Sequence, residues 1–276
     1  MGRVMEEAAL MIARTEKETF YAAISPCPND TFIFGAWILG MVGDVKGLKT
    51  RFSFEDVQSL NEMAASGKGD IIKVSAAQAL KLECDWSILS CGGAFGLDSG
   101  PKLVVLKDEK KTPSTIAVPG MLTTAFALLK SSINFDFEAV SMPFDQIPAA
   151  VIDGRTDAGL LIHETALIHE QLGLDMFLDL GAWWNEKSAG LPLPLGVIII
   201  KKSLGETIKI QAEEIIRRSI HLATENRPGI RPFIRHLARE LDDDVINEHI
   251  HAYVNDYSLD AGKRGKRALS FLKKII

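Results

Sequence analysis

His163 is the one histidine of six that stands where a strand is expected to end, directly after the apolar run 158–162. In open α/β sheets, ligand-binding and catalytic groups lie beyond the carboxyl ends of the strands. Imidazole has a reference pKa of about 6.5, so it can accept or release a proton near neutral pH. The position therefore predicts a general base, with a core or capping histidine as the alternative.

Hydroxyl side chains stand at two other places where a strand should end and a helix begin. Ser75 occupies the first, and Thr123 and Thr124 occupy the second. A helix N-terminus offers free N–H groups and a partial positive charge of about half a unit, which suits a carboxylate ligand. The simpler alternative is that these hydroxyls only cap their helices. Lys73, two residues before Ser75, would either attract the same anion or form an ion pair on the surface.

No metal or nucleotide motif accompanies these residues. His163-Glu164 and His169 do not have zincin spacing, because HExxH places its two histidines four residues apart on one helix face. His169 follows six residues after His163, about 240° around a helix at roughly 100° per residue. His249 and His251 are two residues apart and would also face different directions. The sequence therefore predicts neither a metal site nor a cofactor.

The elements that must position these residues alternate between strand and helix. Strands are predicted at 20–24, 49–54, 70–74, 86–90, 103–106, 115–118, 137–142, 157–162, 174–180 and 197–200. Asp56 should cap a helix that ends near residue 65, and a helix is predicted from 31 to 41 after the two prolines at 26 and 28. Long helices are predicted at 207–224, 229–241, 243–254 and 260–276. This alternation favours a parallel-type α/β sheet.

The same pattern predicts the domain organisation. Residues 102–199 form an inserted small lobe, while 19–101 and 200–276 together form the large lobe. Residues 1–18 are a mixed-charge N-terminal extension. Residues 183–196, which contain two tryptophans and a proline-rich stretch, are expected to form a stiff connection.

Composition excludes several classes of protein. The 276 residues carry a net charge of 31 − 36 = −5, which argues against a nucleic-acid-binding surface. No apolar run approaches the ~18–20 residues that a membrane span requires. Three cysteines without a CxxC pair indicate a reduced, cytoplasmic protein. The expected partner is a small-molecule carboxylate, and the sequence does not determine an oligomeric state.

Eight segments spread over most of the chain resemble one enzyme family, the 1,4-dihydroxy-6-naphthoate synthases of futalosine-pathway menaquinone biosynthesis. They are SPCPNDTFIF (25–34), KVSAA (73–77), GGAFG (92–96), AVPGMLTTA (117–125), GLLIHE (159–164), LGAWWNE (180–186), GLPLPLG (190–196) and HAYVNDYSLD (251–260). The resemblance implies an α/β, two-lobed fold like that of type II periplasmic binding proteins, with an interlobe cleft.

The resemblance also implies functional roles. His163 matches the catalytic base of the family, and the substrate-holding segments match Lys73-Val74-Ser75 and Thr124-Ala125. The implied reaction is a carbon–carbon lyase step, without a cofactor, from cyclic dehypoxanthinylfutalosine to 1,4-dihydroxy-6-naphthoate. The chain departs from the family pattern at Met121-Leu122, where a basic or polar pair is expected, and at Cys91, where serine is usual.

Two alternatives to this function remain open. One is chorismate dehydratase, the sister enzyme of the same pathway and fold, against which His163-Glu164 and the segment 190–196 argue. The other is a non-catalytic solute-binding or ligand-sensing protein. The sequence shows no secretory signal for a periplasmic binder, and the intact IHE motif beside two threonines argues against a sensor.

Overall fold

Two separate β-sheets organise the chain. The computed structural model describes residues 19–45, 47–97, 99–238 and 242–276. The expected N-terminal extension, 1–18, lies outside the described residues. None of the helices in these ranges is both long enough and apolar enough to cross a membrane.

The first sheet forms the core of the large lobe. Its strands are β1 (Thr19–Ile24), β2 (Lys49–Phe54), β3 (Ile71–Ser75), β4 (Trp86–Ile88), β5 (Ala94–Gly96) and β11 (Leu193–Lys201). Their order is β2-β1-β3-β11-β4, and β5 pairs with β11. Strand β1 runs parallel to β2 and β3, whereas β11 runs antiparallel to β3, β4 and β5.

The second sheet forms the core of the small lobe. It contains β6 (Lys102–Leu106), β7 (Thr115–Val118), β8 (Glu138–Ser141), β9 (Ala158–Leu161) and β10 (Leu174–Asp179), in the order β10-β6-β9-β7-β8. Strand β7 is parallel to β8 and β9, while β6 is antiparallel to β9 and β10. Both sheets are therefore mixed, whereas the sequence pattern predicted parallel-type pairing.

The pairing of β11 moves one predicted lobe boundary. The sequence placed residues 102–199 in the small lobe, but β11 is hydrogen-bonded into the large-lobe sheet from Leu193 onward. The hydrophobic pattern of the sequence can predict a buried strand but not which sheet that strand joins, because the choice depends on pairing with strands far along the chain. We therefore keep the two-lobe division as a proposal, with one crossing near residue 101 and the other between Asp179 and Leu193.

Twelve helices are present in the described ranges. They are α1 (Pro28–Ile38), α2 (Val57–Ala65), α3 (Ala76–Lys81), α4 (Thr124–Ser132), α5 (Ile147–Ile152), α6 (His163–Leu167), α7 (Leu180–Ser188), α8 (Gly205–Glu225), α9 (Arg227–Leu237), α10 (Asp243–Tyr253), α11 (Asp256–Leu259) and α12 (Gly262–Ile275). Two 3₁₀ turns lie at Phe144–Gln146 and Lys202–Leu204.

Several predicted helix boundaries were wrong for identifiable reasons. Helix α1 begins at Pro28, because proline fits the first helical turn, where its missing N–H has no partner to lose. The expected stiff connection at 183–196 is instead helix α7 followed by the start of β11. The predicted helix 260–276 corresponds to α12, which begins at Gly262, and the short helix α11 before it was not predicted. Asp56 caps α2 as predicted, accepting hydrogen bonds from the N–H groups of Gln58 and Ser59.

An apolar core connects the two sheets. One buried cluster contains Ile72 and Ile199 of the large-lobe sheet together with Leu103 and Ile116 of the small-lobe sheet. A second cluster lies under α1 and α8 in the large lobe. The lobes therefore share buried apolar packing as well as two chain crossings.

Candidate active site

A cavity of about 690 Å³, including its open mouth, lies between the two lobes. All six residues that the sequence singled out line it: His163, Lys73, Val74, Ser75, Thr124 and Ala125. Five further polar residues in the wall are Ser25, Asn29, Asp30, Thr123 and Tyr253. The structure thus brings together side chains from five separate parts of the chain, while the role of each remains a prediction.

His163 stands directly beyond β9, as the apolar run predicted. Its backbone has a φ of +56°, a left-handed value that only two other non-glycine residues of the described chain adopt. Its ring packs edge-on against Phe144 at 4.9 Å and stacks on His249 at 5.7 Å, with 19° between the two imidazole planes. Burial lowers the pKa of His163 to about 4, so its ring is neutral at pH 7 and can accept a proton.

Behind the His163 ring lies a buried polar group formed by Glu164, His249 and Asn29. His249 Nδ1 and Glu164 Oε2 are 3.2 Å apart, at an angle that is poor for a hydrogen bond, and neither atom has another partner among the described residues. His249 Nε2 lies 3.0 Å from Asn29 Oδ1. Although burial opposes ionisation, the contact with His249 lowers the pKa of Glu164 to about 2. The Glu164 carboxylate therefore lies against His249, which belongs to a helix far along the chain.

Lys73 is already paired in the cavity wall. Its ammonium group lies 2.6 Å from Asp30 Oδ1 and donates a second hydrogen bond to the Gly92 carbonyl oxygen at 3.0 Å. Asp30 Oδ2 accepts a hydrogen bond from the Ser25 hydroxyl at 2.7 Å. The sequence offered two roles for Lys73, attraction of the ligand anion or an ion pair on the surface. The structure shows an ion pair that is buried and lines the cavity.

Ser75 does not cap its helix through its side chain. Its hydroxyl oxygen accepts a hydrogen bond from Asn61 Nδ2 at 3.0 Å, and its backbone N–H donates to Asn61 Oδ1 at 2.9 Å. No acceptor for the Ser75 hydroxyl hydrogen is present in the described part of the chain. This side chain can therefore donate into the cavity.

The two neighbouring threonines perform different tasks. Thr123 is the N-cap of α4 and accepts a hydrogen bond from the Phe126 N–H at 3.1 Å. The Thr124 hydroxyl instead accepts from the Ala77 N–H at 3.1 Å and donates to the Leu195 carbonyl at 2.8 Å. The capping interpretation is thus correct for Thr123, whereas Thr124 connects the small lobe to two elements of the large lobe.

Sequence reasoning missed His249 and Tyr253 as parts of the site. His249 and Tyr253 lie on one face of α10, four residues apart, and their rings are 5.0 Å from each other. The four-residue spacing of His249 and Tyr253 was the one sign in the sequence that they share a helix face. Nothing in the neighbouring sequence shows that this face packs against His163.

The described residues contain no group of three or more histidine, cysteine, aspartate or glutamate side chains arranged to hold a metal ion. The site is instead built from one neutral imidazole, one buried ion pair and a set of hydrogen-bond donors. Such an arrangement can orient an anionic ligand and move a proton.

Comparison with known proteins identifies relatives over almost the whole chain. The profile of a family described as menaquinone biosynthesis matches residues 21–276. A 1,4-dihydroxy-6-naphthoate synthase from Thermus thermophilus is 40% identical over 257 residues, which cover 92% of this chain and 93% of the relative. The enzyme of the same name from Streptomyces coelicolor is 37% identical over 258 residues, or 91% and 90% of the two chains.

Solved structures support the fold. A crystal structure of an Archaeoglobus fulgidus protein matches with a TM-score of 0.88 and 36% identity, covering 94% of this chain and 96% of that one. A Candida albicans protein described as having the generic periplasmic binding protein fold matches with a TM-score of 0.69 at 11% identity, covering 93% and 90%. These matches, together with the two sheets, confirm the predicted two-lobed, periplasmic-binding-protein-like α/β fold.

Proposed function

Because the chain belongs to the menaquinone biosynthesis family, we propose that it converts cyclic dehypoxanthinylfutalosine into 1,4-dihydroxy-6-naphthoate in the cavity between its lobes. Two relatives that align over about nine-tenths of the chain carry the name of that activity. We also infer that the reaction takes place in the cytoplasm, as suits a biosynthetic enzyme.

The observation that carries this proposal is the neutral imidazole of His163 in the cavity wall. A base is useful only in its unprotonated form, and burial keeps His163 neutral at physiological pH. A pKa of about 4 makes it a weaker base than free imidazole, so the reaction must supply driving force. Formation of an aromatic naphthalene ring system supplies that driving force.

The carboxylate of the substrate is assigned to the part of the cavity wall formed by Ser75 and the start of α4. Thr124 and Ala125 form the first turn of α4, where backbone N–H groups have no intrahelical acceptor. Ser75 lines the same cavity, where its hydroxyl group can donate a hydrogen bond to the ligand. The Thr124 hydroxyl is already engaged, so we assign its role to holding the two lobes and the α4 N-terminus together around the ligand.

The proposed chemistry begins when His163 removes a proton from the substrate. Cleavage of a carbon–carbon bond follows, with release of a small sugar-derived fragment and aromatisation of the remaining rings. This is a carbon–carbon lyase reaction without a net change in oxidation state, and it proceeds with a positioned base in a site that restricts water.

Incubation of the purified chain with cyclic dehypoxanthinylfutalosine tests the proposal. Naphthoate should accumulate over many turnovers, as followed by absorbance and mass. Binding without turnover would instead indicate the solute-binding alternative. A parallel incubation with chorismate tests the dehydratase alternative, and turnover of chorismate alone would overturn the proposed function.

A further inference from the structure

We propose that His249 is a positioning residue that holds the His163 imidazole in its place as the base. This inference rests on the proposed function of His163. His249 itself is fully buried and does not line the cavity, so it does not touch the substrate. It acts through two contacts, one with the ring of His163 and one with the side chain of the next residue.

The first contact is the stack between the two imidazoles. Their planes differ by 19° and their centroids are 5.7 Å apart, while Phe144 packs against the His163 ring at 4.9 Å. A ring packed against two aromatic neighbours has few rotamers open to it, because packed interiors leave little free space. His249 therefore restricts the direction in which the basic nitrogen of His163 points.

The His249 ring is itself fixed by hydrogen bonding. Asn29 Nδ2 donates to Asp30 Oδ1 at 3.0 Å, which orients the amide so that Asn29 Oδ1 faces His249 Nε2. That nitrogen then carries a hydrogen and donates it to Asn29. Asp30 is in turn held by Lys73, so the orientation of the stack is connected to the ion pair in the cavity wall.

The second contact acts on the backbone of His163. A left-handed conformation in a residue other than glycine is strained and persists only where its surroundings fix it. Glu164 follows His163 directly, and its buried carboxylate lies 3.2 Å from His249 Nδ1. His249 thus contacts the side chain that follows the left-handed residue, as well as stacking on the base.

The first test needs no substrate and follows the His163 ring signals by NMR during a pH titration. The charged or titratable groups that act on His163 are Glu164, His249, Asp30 and Lys73. His249→Phe keeps a stacking ring but removes the polar group that lowers the pKa of His163, so the His163 midpoint should rise. Glu164→Gln removes that negative charge, so the midpoint should fall.

The second test compares turnover in the same variants. We expect His249→Phe and Glu164→Gln each to lower kcat by about 10–100-fold while KM changes less than about threefold, because small displacements of a reacting group have effects of this size. His251→Ala is the matched control, since His251 lies two residues further along α10 and is exposed. It should leave both parameters unchanged.

The outcomes separate this inference from the proposed function. Wild-type turnover alone decides the proposed function, and the substrate-free titration remains informative if that turnover is absent. If both variants keep the wild-type kcat and the wild-type titration midpoint of His163, then His249 only fills space in the core. If His249→Phe does not fold, Glu164→Gln still tests the contact between Glu164 and His249. That substitution conserves the side-chain volume and leaves the two imidazole rings stacked.

Discussion

The ammonium group of Lys73 lies 2.6 Å from the carboxylate of Asp30, and both side chains are almost fully buried in the cavity wall. The pair brings no net charge to the site. Recognition of an anionic ligand must therefore depend on neutral donors and helix N-termini rather than on a free cation. The pair also orders Asn29 and Ser25, which hydrogen-bond to the same carboxylate.

Lys73→Met should lower the free energy of unfolding by about 3–5 kcal/mol, because it leaves a buried carboxylate without its partner. Lys273→Met is the matched control, since Lys273 pairs with Glu83 on the surface and should cost no more than about 1 kcal/mol. Urea denaturation measures both. The double variant Lys73→Met with Asp30→Asn should recover much of the loss, and equal losses in the single and double variants would contradict this account.

The main effect of Thr124→Ala should be a higher KM, with only a small loss of stability. The change removes the hydroxyl that connects Ala77 and Leu195 to α4, while the backbone donors of that helix remain. Thr123→Ala should do the reverse, costing about 1 kcal/mol of stability through the lost cap with little effect on KM. Steady-state kinetics and thermal melting of the two variants separate the roles. A Thr124→Ala enzyme with unchanged kinetics would remove Thr124 from the site.

Binding of substrate or product should draw the two lobes closer together. The cavity lies between lobes that are joined by two crossings, and the proposed reaction benefits from excluding water. The shared apolar cluster limits the amplitude of this motion. Solution scattering at ligand saturation should therefore show a small decrease in the radius of gyration. Identical profiles with and without ligand would count against closure.

The sequence was informative wherever function depends on a local pattern. An apolar run followed by His163, and hydroxyls placed before helices, predicted the cavity residues because the carboxyl ends of β3 in one sheet and of β7 and β9 in the other lead into the same cavity. The failures share one cause, which is contact between residues far apart in the chain. Nothing near Lys73 indicates Asp30 as its partner, nothing near Glu164 indicates His249, and nothing in β11 shows which sheet it joins.

Acidification should affect both activity and stability through His163. Its pKa is about 6.5 in the unfolded chain and about 4 in the folded one, so between these values the unfolded state binds the additional proton. The free energy of unfolding should consequently fall as the pH decreases from 6.5 to 4, by about 3 kcal/mol from this residue. The kcat value should stay level from pH 8 to about 5 and fall only near pH 4. A kcat midpoint near 6.5 would mean that the base titrates like free imidazole.

His163→Asn is the sharpest test of the catalytic assignment. Asparagine tolerates positive φ better than most residues do, so the variant can keep the backbone at +56° and should fold normally. It cannot accept a proton at physiological pH, and positioned proton transfer contributes about 10²–10⁴-fold, so kcat should fall by at least about 10².

Affinity for the substrate should survive in the same variant, because the proposed carboxylate donors at Ser75 and α4 are unchanged. Calorimetric titration measures this separately from turnover. The amide introduced by His163→Asn does not titrate, so the variant should also lose less stability than the wild type between pH 6.5 and 4. This second effect requires no substrate and establishes whether His163 is buried and neutral. Near-normal turnover in a folded variant would assign proton abstraction to another residue of the cavity, whatever the stability profile shows.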